Sequence, residues 1–61
     1  MKEILFNLIS EVEENRALLS VVARQVPDAL TLGEAREAKS LALQENKVFF
    51  DKLRKQVEDM P

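Results

Sequence analysis

The chain has no cysteine, histidine, tryptophan or tyrosine, and its 61 residues hold one glycine and two prolines. Without cysteine there is no disulfide, and without cysteine or histidine the usual ligands for zinc are missing. Without histidine, Ser10, Ser20, Ser40 and Thr31 lack the base that ordinarily activates a hydroxyl nucleophile. A single glycine cannot build a Gly-rich phosphate loop. Nine basic residues stand against eleven acidic ones, for a net charge of −2. That balance is no footprint for DNA. The longest wholly apolar run is three residues, so no membrane span is expected. The opening Met1-Lys2-Glu3 is followed by an apolar stretch broken at Asn7, Ser10 and Glu11, unlike a secretory signal. The expected location is the cytoplasm, and the lack of cysteine fits a reducing compartment.

The scarce residues fall together. Pro27 and Gly33 both lie in Val26-Pro27-Asp28-Ala29-Leu30-Thr31-Leu32-Gly33-Glu34, and the chain on either side reads as helix. Pro27 disfavours the helical conformation at Val26 and lacks an amide donor, so the first helix is expected to stop at or just before Val26. Thr31-Leu32-Gly33-Glu34 has the capping-box pattern, in which the threonine hydroxyl and the glutamate carboxylate satisfy each other's backbone amides. Leu30 would pack on Ala35 as a hydrophobic staple. The expectation is one domain over residues 1–61: a helix over about 4–26, a turn over about 27–31 and a helix over about 32–59. A connection of this length favours antiparallel neighbours.

In the first helix Leu5, Leu8, Val12, Asn15, Leu19, Val22 and Val26 step by three and four, as the a and d positions of a heptad seam do. Lys2, Glu3, Glu11, Glu13 and Glu14 fall largely on the other side. From Ala17 to Ala23 the helix is apolar almost all the way round, which one hairpin partner cannot cover. In the second helix Ala35, Ala42, Phe49, Leu53, Val57 and Met60 form one stripe, with Asn46 inside it. Leu43, Phe50 and Val57 form a second, and Leu41 and Val48 a third edge. Phe49 and Phe50 point about 100° apart, so burying both needs a wide face. The small Ala35, Ala38 and Ala42 permit close approach near the turn. Folding at the turn brings Asn15 near the level of Asn46, and a buried amide pair that fixes register is expected. Lys47 with Asp51, Asp51 with Lys55 and Arg54 with Glu58 have the spacing of surface i,i+4 pairs.

Two helices make one interface, which sets little apolar burial against the entropy of ordering the chain. A second copy is the simplest remedy. The expected fold is therefore all-α: an antiparallel two-helix hairpin assembling into a homo-oligomeric bundle, with four helices if dimeric. Its expected interface and core residues are Leu5, Leu8, Val12, Asn15, Leu19, Val22, Ala42, Asn46, Phe49, Phe50, Leu53 and Val57.

Three functional readings follow. The first is a non-enzymatic binding or regulatory module acting as a homo-oligomer, needing no cofactor and binding itself or a partner protein. A second takes Arg36, Lys39 and Lys47 along one side of the second helix, with Arg16 and Arg24 on the first. In a symmetric assembly such residues can converge on an anion. The third takes Glu11 and Glu14, an E-x-x-E pair of the kind that holds Mg²⁺ in all-α nucleotide pyrophosphatases, with Glu45 approaching from the second helix.

Val26-Pro27-Asp28 followed by Arg36-Glu37-Ala38-Lys39-Ser40-Leu41-Ala42-Leu43 resembles the hairpin domain of phage anti-defence sponges. Those small helical oligomers sequester cyclic-nucleotide or cyclic ADP-ribose signals without degrading them. The resemblance implies an anionic cyclic nucleotide held at a subunit junction, with Arg36 and Lys39 as phosphate contacts. It covers one short segment. Where the family continues with Thr-Lys-Leu-Glu-Glu-Ala and a nearby tryptophan, this chain reads Gln44-Glu45-Asn46-Lys47-Val48-Phe49-Phe50.

Overall fold

A computed structural model describes all 61 residues as two helices and nothing else: α1 (Lys2–Asp28) and α2 (Leu32–Glu58). They pack side by side as a hairpin, and the molecule is a rod of 46 × 18 × 16 Å. Its radius of gyration is 13.9 Å, against about 10–11 Å for a compact chain of this length.

The connection is only Ala29-Leu30-Thr31. The expected stop at Val26 is corrected: α1 runs through Pro27 to Asp28. Proline here removes the amide that would have bonded the Ala23 carbonyl, and at an exposed last turn water can take that carbonyl instead. What ends α1 is Ala29, in the left-handed conformation at φ 46°, ψ 57°, with its amide donating to the Gln25 carbonyl at 3.0 Å. The start of α2 is as expected. The Glu34 amide donates to Thr31 Oγ1 at 3.3 Å, and the Thr31 amide donates to Glu34 Oε1 at 3.1 Å. The Thr31 hydroxyl also donates to that oxygen at 2.8 Å. These bonds hold the exposed Glu34 carboxyl below its ordinary pKa, the Thr31 amide first and its hydroxyl second, with Arg24 adding a smaller pull. Leu30 and Ala35 are both half-buried, as a staple requires.

The interior is small. Five residues are buried: Ala17, Ala38, Ala42, Phe50 and Val57. Near the turn three alanines let the helices approach closely. Farther out the gap is filled by Phe50, whose ring is 1% exposed. Half-buried Leu5, Phe6, Ile9 and Val21 on α1, with Leu53 on α2, complete the line. The inward face of α2 draws on both expected stripes: Ala42 and Val57 of the first are buried with Ala35 and Leu53 half-buried, Phe50 of the second is buried, and Phe49 and Met60 are the members of the first that face out. Phe49 is 55% exposed and meets Phe50 edge to face, with centroids 5.2 Å apart.

Most of the α1 seam expected from the heptad pattern does not face α2. Leu8, Val12, Leu19, Val22 and Val26 are exposed, and so is Asn15. At about 100° per residue they centre roughly 160° round α1 from the line through Glu13 and Ala17. Close approach explains the choice: the Ala17 face admits the Ala38 and Ala42 backbone, which branched side chains would hold away. The expected Asn15–Asn46 pair does not form. Asn46 is half-buried and donates instead to the Ala42 carbonyl one turn back, at 2.8 Å.

Candidate functional site

One edge of the hairpin is closed by charge. Lys39 pairs with Glu14, and Arg54 pairs with Glu13. Arg54 also donates to Asp51 at 3.1 Å, one turn back on its own helix. Glu13, expected in solvent, thus faces α2, with its side chain 17% exposed. The Glu13 carboxylate is the main reason the Arg54 guanidinium is held above its ordinary pKa. At the open end the Lys2 ammonium donates to the Glu58 carbonyl at 2.8 Å, where the negative end of the α2 dipole suits a cation. No ion pair closes the opposite edge, where Phe49 lies.

The expected basic residues share the charged edge. Arg36, Lys39 and Lys47 lie along it, but Lys39 is already paired with Glu14. Arg36 and Lys47 are exposed and form no ion pair. Lys47 lines a shallow groove of about 290 Å³ with Glu13, Leu43, Gln44, Asp51 and Arg54. Acidic side chains outnumber no base there: two carboxylates meet two cations. Arg16 and Arg24 are on α1, and Arg24 donates to Asp28 at 3.4 Å. Glu11 and Glu14 line an open recess of about 480 Å³ with Ser10 and Asn15. Glu14 is drawn toward Lys39, and no group of three acidic, cysteine or histidine side chains forms that could hold a metal. Glu45 does not complete the pair.

Much of the exposed surface is apolar. Ile4, Leu8, Val12, Leu18, Leu19, Val22 and Val26 are each at least two-fifths exposed and share the outer side of α1. On α2, Leu41, Val48 and Phe49 are exposed as well. Their spacing was readable in the sequence, but which stripe the hairpin would cover was not. Glu13 and Arg54 were missed as an interhelical pair. The signal was the four-residue step from Ile9 through Glu13 to Ala17, obscured by the charge in its middle.

No helix is long and apolar enough to cross a membrane. Comparison with family models, with curated proteins and with solved structures finds no match to this chain.

Proposed function

We propose that the protein is a non-enzymatic binding or regulatory module whose working form is a homo-oligomer. The observation that carries this reading is the exposed heptad stripe on α1. A run of branched apolar side chains at a and d spacing is the pattern by which helices recognise helices. Exposed apolar residues that share one helix side mark a candidate interaction face.

The area supports it. The chain exposes 4888 Å², whereas a folded monomer of 7.0 kDa is expected to expose about 4,000 Å². The excess is comparable to the roughly 800 Å² that each partner contributes to a standard interface. Five buried residues are a thin core for a free-standing chain, and association adds the missing burial. Sedimentation velocity between micromolar and hundred-micromolar protein tests the reading. A species of two or more copies is expected. A single chain throughout, folded and cooperative, overturns it. Native mass spectrometry of protein from its own host would give the copy number and any retained small molecule together.

A second reading keeps an anionic cyclic nucleotide at a subunit junction. It rests on Arg36 and Lys47, two cations on one edge with no partner in the hairpin. It predicts a rise in melting temperature with cyclic dinucleotides and recovery of the ligand intact. Consumption of the nucleotide with added Mg²⁺ would favour the hydrolase reading through Glu11 and Glu14 instead.

A further inference from the structure

We infer that two copies associate through the outer stripe of α1, with the two α1 helices parallel and in register, so that Asn15 of one copy meets Asn15 of the other. This rests on the homo-oligomer reading and adds the surface, the orientation and the register.

Three observations lead to it. The stripe lies nearly opposite the side of α1 that packs on α2, so a second helix can lie along it without disturbing the hairpin. Val12, Leu19 and Val26 hold exposed a positions, and Leu8, Asn15 and Val22 the d positions; Leu5, the first a position, is half-buried toward α2, so the free stripe begins at Leu8. Asn15, exposed in the hairpin, is the only polar residue among them.

Orientation follows from that asparagine. In a parallel pair like layers meet, so d faces d, and the two Asn15 amides can bond each other in a seam that otherwise offers no partner. In an antiparallel pair a layers face d layers. Leu5 would then meet Val22, Leu8 would meet Leu19, and Asn15 would meet Val12, leaving its amide against an apolar side chain. Paired side chains at the seam's centre also fix register, the best-attested use of a buried seam asparagine.

The flanking charges give the same orientation independently. Glu11 holds a g position and Arg16 the following e position. They flank the stripe on opposite sides, so they cannot reach each other within one chain, and neither has an ion-pair partner in the hairpin. In a parallel pair Glu11 of each copy faces Arg16 of the other, giving two symmetric bridges. In the antiparallel pair Glu11 faces Leu18 and Arg16 faces Ile9, with no bridge at all.

The absence of native cysteine makes the test clean. Val22 is 61% exposed in the hairpin, so Val22→Cys leaves the hairpin core alone. Far-UV circular dichroism of the variant checks this. In the parallel seam the two introduced thiols lie within disulfide reach. Oxidation should therefore convert most of the Val22→Cys protein to a covalent dimer. In the antiparallel seam the same thiols are roughly 25 Å apart. There Val22→Cys stays unlinked, while a mixture of Leu8→Cys and Leu19→Cys proteins cross-links. That result overturns the orientation and leaves the homo-oligomer standing. A sedimenting dimer that none of these thiols links overturns the surface itself. A protein that sediments as one chain removes the parent reading as well.

Charge exchange gives a second readout that does not depend on oxidation. Glu11→Lys and Arg16→Glu should each weaken the homodimer roughly tenfold, since each breaks two bridges and sets like charges together. Mixing the two variants restores both bridges in the heterodimer and should recover near wild-type affinity. No recovery on mixing contradicts the parallel seam.

Discussion

The two sides of α1 are built on different rules. Its inner side is irregular, running through Leu5, Phe6, Ile9, Glu13, Ala17 and Val21, with a carboxylate in the middle. Its outer side is a regular heptad stripe of leucine and valine, broken only by Asn15. The hairpin buries the irregular side. Close packing against Ala38 and Ala42, and a bridge from Glu13 to Arg54, suit a helix permanently tethered to its neighbour. Local tethering makes that contact nearly free of association entropy, so it needs little apolar area. A contact between separate chains, as proposed for the outer side, has no such help. Regularity of pattern does not mark the side that the hairpin buries.

The comparison breaks most readily at the two phenylalanines. Phe50→Ala should cost about 3–5 kcal/mol, enough to unfold most of a chain whose total stability is expected at about 3–9 kcal/mol. Phe49→Ala, half-exposed, should change hairpin stability far less. Urea titration of the two variants checks this, and equal losses would mean that the hairpin buries both rings alike. Asn15→Leu sharpens the outer side. Replacing a seam amide with a fitting apolar group should stabilise the assembly by about 1–3 kcal/mol, or change its copy number. An unchanged mass and melting point would take Asn15 out of any seam.

The inner side's charged pair comes next. Glu13→Ala or Arg54→Ala should cost about 1–2 kcal/mol each, and the double variant little more than either, because they share one bridge. Additive losses would mean the pair is not coupled. Ala29→Gly touches neither side. It relieves a left-handed alanine and should stabilise by about 1 kcal/mol. Gly33→Ala, where an added Cβ meets open space, should add roughly 0.5 kcal/mol more. Both are read by thermal melts.

The smallest effect is acid sensitivity of the turn. The capping bonds lower the Glu34 pKa in the folded state, so its contribution is present above the ordinary carboxylate pKa. It is lost as pH falls through the depressed folded value. Glu34→Gln keeps a capping acceptor without titrating. It should flatten this part of the acid limb of a stability–pH curve.

The turn and the helix count were legible because their signals are local. Thr31 and Glu34 carry the α2 start within four residues, and Pro27 and Gly33 bracket the connection. The end of α1 lies beyond Pro27 because proline carries its full cost only in a helix interior. In a last turn the lost bond falls on a solvated carbonyl. The core was misread for a non-local reason. Heptad spacing identifies an adhesive side but not the partner it meets, and small residues such as Ala17 carry weak patterns while permitting the closest contact. The same ambiguity applies to Asn15 and Asn46: spacing sets them at one level, but Asn46 has a nearer acceptor on its own helix. The charged edge was half legible. Arg36, Lys39 and Lys47 do share a side, but Lys39 is engaged by Glu14 across the hairpin, which spacing along one helix cannot reveal.

Melting temperature as a function of protein concentration tests most directly whether the outer stripe of α1 holds copies together. If folding is completed by association, mass action requires the midpoint to rise steadily from micromolar to hundred-micromolar protein. Leu19→Glu, which places a charge in the middle of the stripe while leaving the hairpin core intact, should abolish that rise. A sharp wild-type transition at one temperature across the whole range would contradict the account.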